Sequence, residues 1–371
     1  MVLTTAVRED ACLLVPGPSK MLPNVLAAQA EQVGSPDLDE AFWEDYITLE
    51  TQLKSLLRTK NDVAIQSGEG MLALWGALKS SIVPGDRVVC AANGIFGAGF
   101  AEMAKTLGAE VHVVEGDWAK ALVLSDVIEA IKQHDPKLVT VVHCETPSGV
   151  LNALEGLGDA IAEHTTDCLF LVDFVSSAGG APLDVDALKI DIGLLGPQKV
   201  LSGPPSLAFT SVSEKAWRRI DKIAYHGYDA LAPFRGVTTA ETRLLPYTHN
   251  WHAVRACIVA LTNIEEAGGA EASFQRHAEV AAFCREQVKA MGLELYCDEA
   301  AAAPTVTAIM VPADWEWKKL YQELRQRNVF VGGSYGSLAG KVFRLGHMGS
   351  QADKALVSRA LAILSEILGR K

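Results

Sequence analysis

The sequence lacks a membrane-spanning apolar run, a basic surface and paired cysteines. Nowhere do eighteen apolar residues follow one another, and charges interrupt the first twenty positions, where a secretory signal needs an apolar core. Lys and Arg number 33 against 45 Asp and Glu, which gives a net charge of −12 and argues against nucleic-acid binding. Small molecules are therefore the expected partners, with no membrane and no nucleic acid.

The seven cysteines are odd in number and include no C-x-x-C pair. This spacing excludes the usual disulfide frameworks and zinc sites and is typical of buried, reduced thiols. Together with the missing signal segment, it predicts a cytoplasmic protein without a structural metal.

The 371 residues, 49% hydrophobic and 21% charged, suit a soluble two-domain enzyme. Strand-like runs alternate with helical stretches from DVAIQ through RVVCAA, EVHVVE, LVTVVH and CLFLVD to DIGLL. This alternation predicts βαβ units, hence an α/β fold with a mostly parallel sheet covered on both faces. We predict an arm at 1–20, a large domain at 21–249, and a smaller α+β domain at 250–371 that begins with an interdomain helix at 250–268. A further strand is expected at 294–297.

Lys199 lies at the centre of DIGLLGPQKVLSGPPSLAFTSV, in a Gly- and Pro-rich turn between two apolar strands. Partial desolvation there favours the neutral, nucleophilic amine, although an isolated turn lysine is ordinarily exposed. Upstream, the apolar strand CLFLVD ends in Asp173, at the sheet edge where α/β proteins bind ligands. A lysine, an acid and a glycine-containing turn before a helix are the parts that a pyridoxal cofactor needs.

With these residues the chain resembles the class V, fold-type I aminotransferases of the alanine–glyoxylate and serine–glyoxylate group, close also to pyridoxamine–pyruvate aminotransferase. The resemblance implies a PLP-dependent fold with a sheet of the seven-stranded type and a smaller carboxyl-terminal domain. It also implies pyridoxal 5′-phosphate as the cofactor, with Lys199 as its Schiff-base amine and Asp173 as the partner of its pyridine nitrogen. Further cofactor contacts implied by the resemblance are Phe96, Val175, Thr146 (or its neighbour Glu145) and Gln198.

The turn QSGEGM before a helix suits a phosphate, because helix amino termini bind anions, and it makes Glu69, Gly70 and Met71 cofactor-binding candidates. In the family this position is commonly a small hydroxyl residue, and Glu69 departs from that pattern. The departure matters because a carboxylate repels a phosphate at close range. Pyridoxamine–pyruvate aminotransferase, whose substrate is unphosphorylated, resembles this chain in having a glutamate there. Alternatively, Glu69 points outward and only its backbone N–H faces the anion.

Three further residues complete the implied site. Thr248 in LPYTHNW matches the threonine that reaches the neighbouring subunit's phosphate in the family, although Leu245 replaces a family tyrosine. Arg344 in AGKVFRLGHMG matches the arginine that holds the substrate carboxylate, and an internal salt bridge is the other interpretation. Tyr335, the second substrate-binding candidate, stands where pyridoxamine–pyruvate aminotransferase has a further substrate arginine, which counts against that activity.

The sequence thus predicts a homodimeric PLP-dependent aminotransferase. It transfers an amino group from a small amino acid, of the alanine or serine type, to glyoxylate or pyruvate by a ping-pong Schiff-base mechanism. Pyridoxamine–pyruvate transfer is the alternative. A cysteine desulfurase or lyase of the same fold and a non-catalytic binding protein are weaker alternatives, since no cysteine lies in a recognisable exposed glycine-rich loop and a binding protein needs no Lys199–Arg344 pair.

Overall fold

The computed structural model describes residues 11–241 and 243–370, which form two main sheets and the helices packed on them. The helices are α1 (Pro23–Ala30), α2 (Glu40–Leu57), α3 (Gly70–Ser81), α4 (Ile95–Thr106), α5 (Leu124–His134), α6 (Leu157–His164), α7 (Glu214–Ile223), α8 (Trp251–Glu266), α9 (Gly269–Ala290), α10 (Trp317–Gln326) and α11 (Lys354–Leu368). The strands are β1 (Cys12–Leu14), β2 (Asp62–Ser67), β3 (Arg87–Ala92), β4 (Glu110–Glu115), β5 (Leu138–Val142), β6 (Cys144–Glu145), β7 (Val150–Leu151), β8 (Leu169–Asp173), β9 (Ile192–Leu195), β10 (Leu207–Val212), β11 (Val306–Met310), β12 (Val329–Gly333) and β13 (Val342–Gly346).

The larger sheet has seven strands in the order β2-β10-β9-β8-β5-β3-β4. Its strands are parallel except β10, which runs antiparallel to both β2 and β9. Alternate strand residues face opposite sides, so that Val88 packs with α3, α4 and α7 while Val89 packs with α2, α5, α6 and α8. The predicted α/β fold with helices on both faces is thereby confirmed.

The smaller sheet has four strands in the order β1-β12-β13-β11 and is covered by α9, α10 and α11. Its edge strand β1 comes from the start of the chain and runs parallel to β12, with Cys12 opposite Val329. The strand predicted at 294–297 is wrong, because only an isolated bridge joins Leu295 to Ile309. Residues 1–10 of the predicted arm lie outside the described residues, and the domain boundaries stay a prediction.

The composition-based expectations concern thiols and membranes. All seven cysteines are free and buried, as the sequence predicts. Among the described residues, no helix combines the length and apolar character needed to cross a bilayer.

Candidate active site

The predicted site residues follow the carboxyl ends of neighbouring strands in the seven-stranded sheet. Asp173 is the last residue of β8, and Lys199 lies in the turn between β9 and β10. Phe96 is in the first turn of α4, directly after β3, and Glu69 is the N-cap of α3, directly after β2. Because the parallel strands end at one edge of the sheet, side chains distant in sequence meet there.

Two adjoining cavities open among these residues. The smaller, of about 170 Å³, is lined by the predicted cofactor residues Glu69, Gly70, Met71, Phe96, Thr146, Asp173, Val175, Gln198 and Lys199. The larger, of about 420 Å³, is lined by the predicted substrate residues Arg344 and Tyr335. Both cavities share Phe96, Thr146 and Lys199. Lys199 therefore faces both a ring-sized recess and the space in front of Arg344.

The Lys199 amine is held by the segment that follows β1. Its Nζ donates a hydrogen bond of 2.6 Å to the carbonyl oxygen of Pro16. Gly17 lies against the same side chain with φ of +95°, and a Cβ atom there would come within 2.5 Å of the lysine Cδ. Burial, together with the positive charge of Arg344, lowers the pKa of Lys199 to about 8. A neutral amine is thus accessible near neutral pH.

The Asp173 carboxylate is buried at the base of the smaller cavity. Its Oδ1 accepts the backbone N–H of Val175 at 2.9 Å. Burial raises the pKa of Asp173 to about 6, although this N–H and the charge of Lys199 oppose the shift. A buried carboxylate in this state is stabilised by a cationic hydrogen-bond donor, such as a protonated pyridine nitrogen.

Glu145 anchors the backbone of Phe96, the aromatic residue that lines the smaller cavity. This carboxylate is fully buried and accepts the backbone N–H groups of Phe96 at 3.3 Å and Gly97 at 2.7 Å, at the start of α4. Burial raises the pKa of Glu145 to about 7, against the effect of these two donors. Glu145 therefore supports Phe96, while Thr146 lines both cavities and hydrogen-bonds the Ser176 hydroxyl.

Glu69 is exposed, yet its carboxylate turns toward the site. Oε2 accepts the N–H of Met71 at 2.9 Å, and Oε1 accepts the side-chain amide of Gln198 at 2.7 Å. The alternative in which Glu69 points outward is therefore wrong for this structure. Its carboxylate already occupies two of the donors expected to bind a phosphate.

Arg344 lies in the middle of β13 and is almost completely buried. Its Nε donates to the Gly333 carbonyl at 2.8 Å, and its Nη1 donates to the Thr146 carbonyl at 3.2 Å. The Tyr335 ring covers the guanidinium, with 4.9 Å from Cζ to the ring centroid. Within residues 11–241 and 243–370 no carboxylate forms an ion pair with Arg344, which leaves its charge available to an anionic ligand.

Thr248 lies outside both cavities. Its hydroxyl donates to Asp37 at 2.9 Å on the exposed surface. The expected contact is with a neighbouring subunit, so this role stays a prediction.

Sequence reasoning missed Ser176 in the smaller cavity and Trp317 and Tyr321 in the larger. Ser176 follows Asp173 by three residues, so its position just after the end of β8 was a signal from which it could have been predicted. Trp317 and Tyr321 belong to α10, whose position over β12 depends on tertiary packing that the sequence does not display.

The fold agrees with comparisons to known proteins. The family model for aminotransferase class V matches residues 16–345. The alanine–glyoxylate aminotransferase of Oryctolagus cuniculus is 33% identical, with 98% of this chain and 95% of that protein covered.

Two solved structures share nearly the whole fold. The alanine–glyoxylate aminotransferase of Nostoc sp. has a TM-score of 0.92 at 28% identity, with 99% of this chain and 98% of the other covered. The pyridoxamine–pyruvate aminotransferase of Mesorhizobium loti has a TM-score of 0.91 at 30% identity, with 97% and 93% covered. The predicted family is confirmed: this chain belongs to the class V aminotransferases and is a transaminase of fold type I.

Proposed function

We propose that this aminotransferase uses pyridoxal 5′-phosphate to transfer an amino group from a small amino acid, such as alanine or serine, to glyoxylate or pyruvate. The observation that carries the proposal is the meeting of Lys199, Asp173 and Arg344 around two adjoining cavities. The names of the similar proteins, which include alanine and glyoxylate, support the choice of substrates.

The pyridine end of the cofactor fits the smaller cavity. Asp173 offers a buried carboxylate for the ring nitrogen, and Phe96 and Val175 offer apolar contacts for the ring. The Gln198 Oε1 atom is buried and has no hydrogen-bond partner within the described part of the chain, so a polar group of a ligand is expected beside it.

The phosphate end fits only after one local change. Glu69 holds the Met71 N–H and the Gln198 amide, and both must be released for a phosphate to use them. Glu69 is exposed, so its side chain has room to swing into solvent.

The chemistry supplied by the bound cofactor is an aldehyde that condenses with amines and a protonated ring that accepts the electron pair of the substrate's Cα–H bond. Arg344 binds the substrate carboxylate through its planar guanidinium. Lys199, with its lowered pKa, would take the proton from the substrate Cα onto its Nζ and later release it. Asp173 would hold the ring nitrogen through a charge-assisted hydrogen bond that keeps it protonated.

Glu69 favours a second candidate, pyridoxamine–pyruvate transfer. A carboxylate that already satisfies the anion donors disfavours a phosphate and leaves an unphosphorylated vitamin unaffected. The similarity to the Mesorhizobium loti enzyme supports this candidate, whereas Tyr335 in place of a second arginine opposes it.

The deciding experiment is an absorbance spectrum of the purified protein with an assay of organic phosphate on the same sample. A yellow protein with stoichiometric phosphate, bleached by alanine or serine, supports the first candidate. A colourless, phosphate-free protein that turns yellow with pyridoxal but not with its phosphate ester supports the second. Glu69→Ser then separates the two further, because it should increase affinity for the phosphate ester at least about tenfold if Glu69 competes for the donors.

A homodimer and a cytoplasmic location belong to the same proposal. Exposed apolar side chains on and near α1 and α3, among them Leu22, Leu26, Met71 and Leu72, support association of two chains. The seven free thiols support a reducing compartment.

A further inference from the structure

The larger cavity contains an aromatic surface that the transamination steps do not use. Trp317, Tyr321 and Tyr335 line it, and we call these three residues the aromatic wall. Trp317 and Tyr321 are one helical turn apart on α10, with ring centroids 5.4 Å apart, so both face the same side. Tyr335 lies over the Arg344 guanidinium, which places the wall beside the expected site of the substrate carboxylate.

Packing holds the wall in place without a ligand. The Trp317 indole stacks on the buried ring of Phe343, with centroids 5.8 Å apart and planes 13° apart. Gly333 permits this approach, since a Cβ atom there would lie 2.7 Å from the indole Nε1. A surface fixed in this way loses little conformational entropy when a ring covers it.

The charges around the cavity limit the side chain of the substrate. The charged residues that line it are Lys199 and Arg344, and both are cationic. In the proposed reaction Lys199 acts at the substrate's amino-bearing Cα atom and Arg344 binds the substrate carboxylate. The lining residues, all within the described part of the chain, include no carboxylate to pair with a basic side chain and no third cation for an acidic one. An uncharged side chain is therefore favoured.

The exposure of the wall indicates the size of that side chain. Tyr321 and Tyr335 are 37% and 56% exposed, and Trp317 is partly buried. A methyl group reaching from a Cα atom near Lys199 covers little of this surface, whereas a phenyl ring can cover it. Aromatic pairs gain free energy beyond the area they bury.

We infer that the enzyme also accepts amino donors with aromatic side chains, whose rings lie against Trp317 and Tyr321 while Arg344 holds the carboxylate. The amino group of such a donor passes to the 2-oxo acid acceptor, and the donor leaves as its aromatic 2-oxo acid. This inference rests on the proposed function and widens its substrate class.

The test compares two amine-free acids that differ by one ring. Dissociation constants of propionate and 3-phenylpropionate are measured by calorimetry on the purified protein, and half-reaction rates are measured with alanine and phenylalanine. We expect 3-phenylpropionate to bind at least about tenfold more tightly than propionate, and phenylalanine to react. Trp317→Leu and Tyr321→Ala should each lower the affinity ratio by about threefold or more.

Trp315→Ala is the matched control. Trp315 lies two residues before Trp317 but packs against the core of the small sheet and does not line the cavity, so its loss should leave the ratio unchanged. Equal affinities for the two acids, with alanine reactive, overturn the inference and leave the proposed function intact. If neither amino acid reacts, the proposed function itself is wrong. Tyr321 is partly exposed, so its variant keeps the test decisive if Trp317→Leu fails to fold.

Discussion

At the scale of single residues, the environment of Lys199 decides whether its amine can react. With its pKa lowered to about 8, the neutral fraction at pH 7 is roughly 300-fold greater than for an exposed lysine. Lys199→Ala should reduce turnover by about 10²–10⁴-fold in a steady-state assay, because it removes the group that moves the Cα proton. Lys60→Ala, at an exposed lysine, is the control. Near-wild-type turnover of Lys199→Ala without added amines would contradict the assignment of Lys199 as the catalytic amine.

Gly17 offers a second test at this scale, because the effect of its φ of +95° can be distinguished from the effect of its contact with Lys199 by comparison with a second glycine. Gly17→Ala introduces both backbone strain and a clash with the lysine side chain. Gly85, with φ of +85° and open space around its Cβ position, gives the strain alone. The backbone strain alone should cost each variant about 1–2 kcal/mol in the free energy of unfolding.

Only Gly17→Ala should also displace the Lys199 amine and lower kcat, by about tenfold or more. The measurement is kcat beside a denaturant titration for both variants. Equal kcat values for Gly17→Ala and Gly85→Ala would mean that the contact has no catalytic consequence.

At the scale of elements, Glu145 links the loop after β5 to the start of α4. Its folded pKa of about 7 lies above the ordinary 4.5, so between these pH values the folded protein binds a proton that the unfolded chain does not. The stability contribution of Glu145 therefore falls as pH rises from about 4.5 to 7. Glu145→Gln should remove this fall, which amounts to about 2 kcal/mol between pH 5 and pH 7.

Denaturant unfolding at the two pH values measures this change. Glu163→Gln, at an exposed carboxylate, controls for the loss of one negative charge. If the wild type and Glu145→Gln lose stability equally between pH 5 and pH 7, Glu145 is not the group that titrates.

The elements also show where sequence reasoning succeeds and where it ends. Buried parallel strands are continuous apolar runs, so the sequence alone predicts β8 and the position of Asp173 at its end. The expected strand at 294–297 fails because its pairing with β11 is too short to extend beyond one bridge: the Met310 N–H donates to Glu294 and the Tyr296 N–H donates to Ala308, but just past this range the Asp298 N–H donates to Ala119. Strand β1 was not predicted, since nothing near Cys12 specifies pairing with a strand more than 300 residues away.

At the scale of the whole molecule, the exposed apolar residues near α1 and α3 predict association. Sedimentation equilibrium should give twice the chain mass of 39.7 kDa across a range of protein concentrations. Two-fold association is the commonest way in which a chain covers exposed apolar side chains. A constant mass of one chain would contradict both the dimer and the role proposed for Thr248.

The two sheets contribute different halves of the active site. Arg344 belongs to β13 of the small sheet, and Pro16 follows β1 of the same sheet, whereas Asp173 ends β8 of the large one. An amino acid held by both Arg344 and Lys199 is therefore a non-covalent cross-link between the small sheet and the large sheet. Its binding free energy adds to the unfolding free energy of both sheets at once. A bound amino acid should therefore merge any separate melting of the two sheets into one cooperative transition at higher temperature.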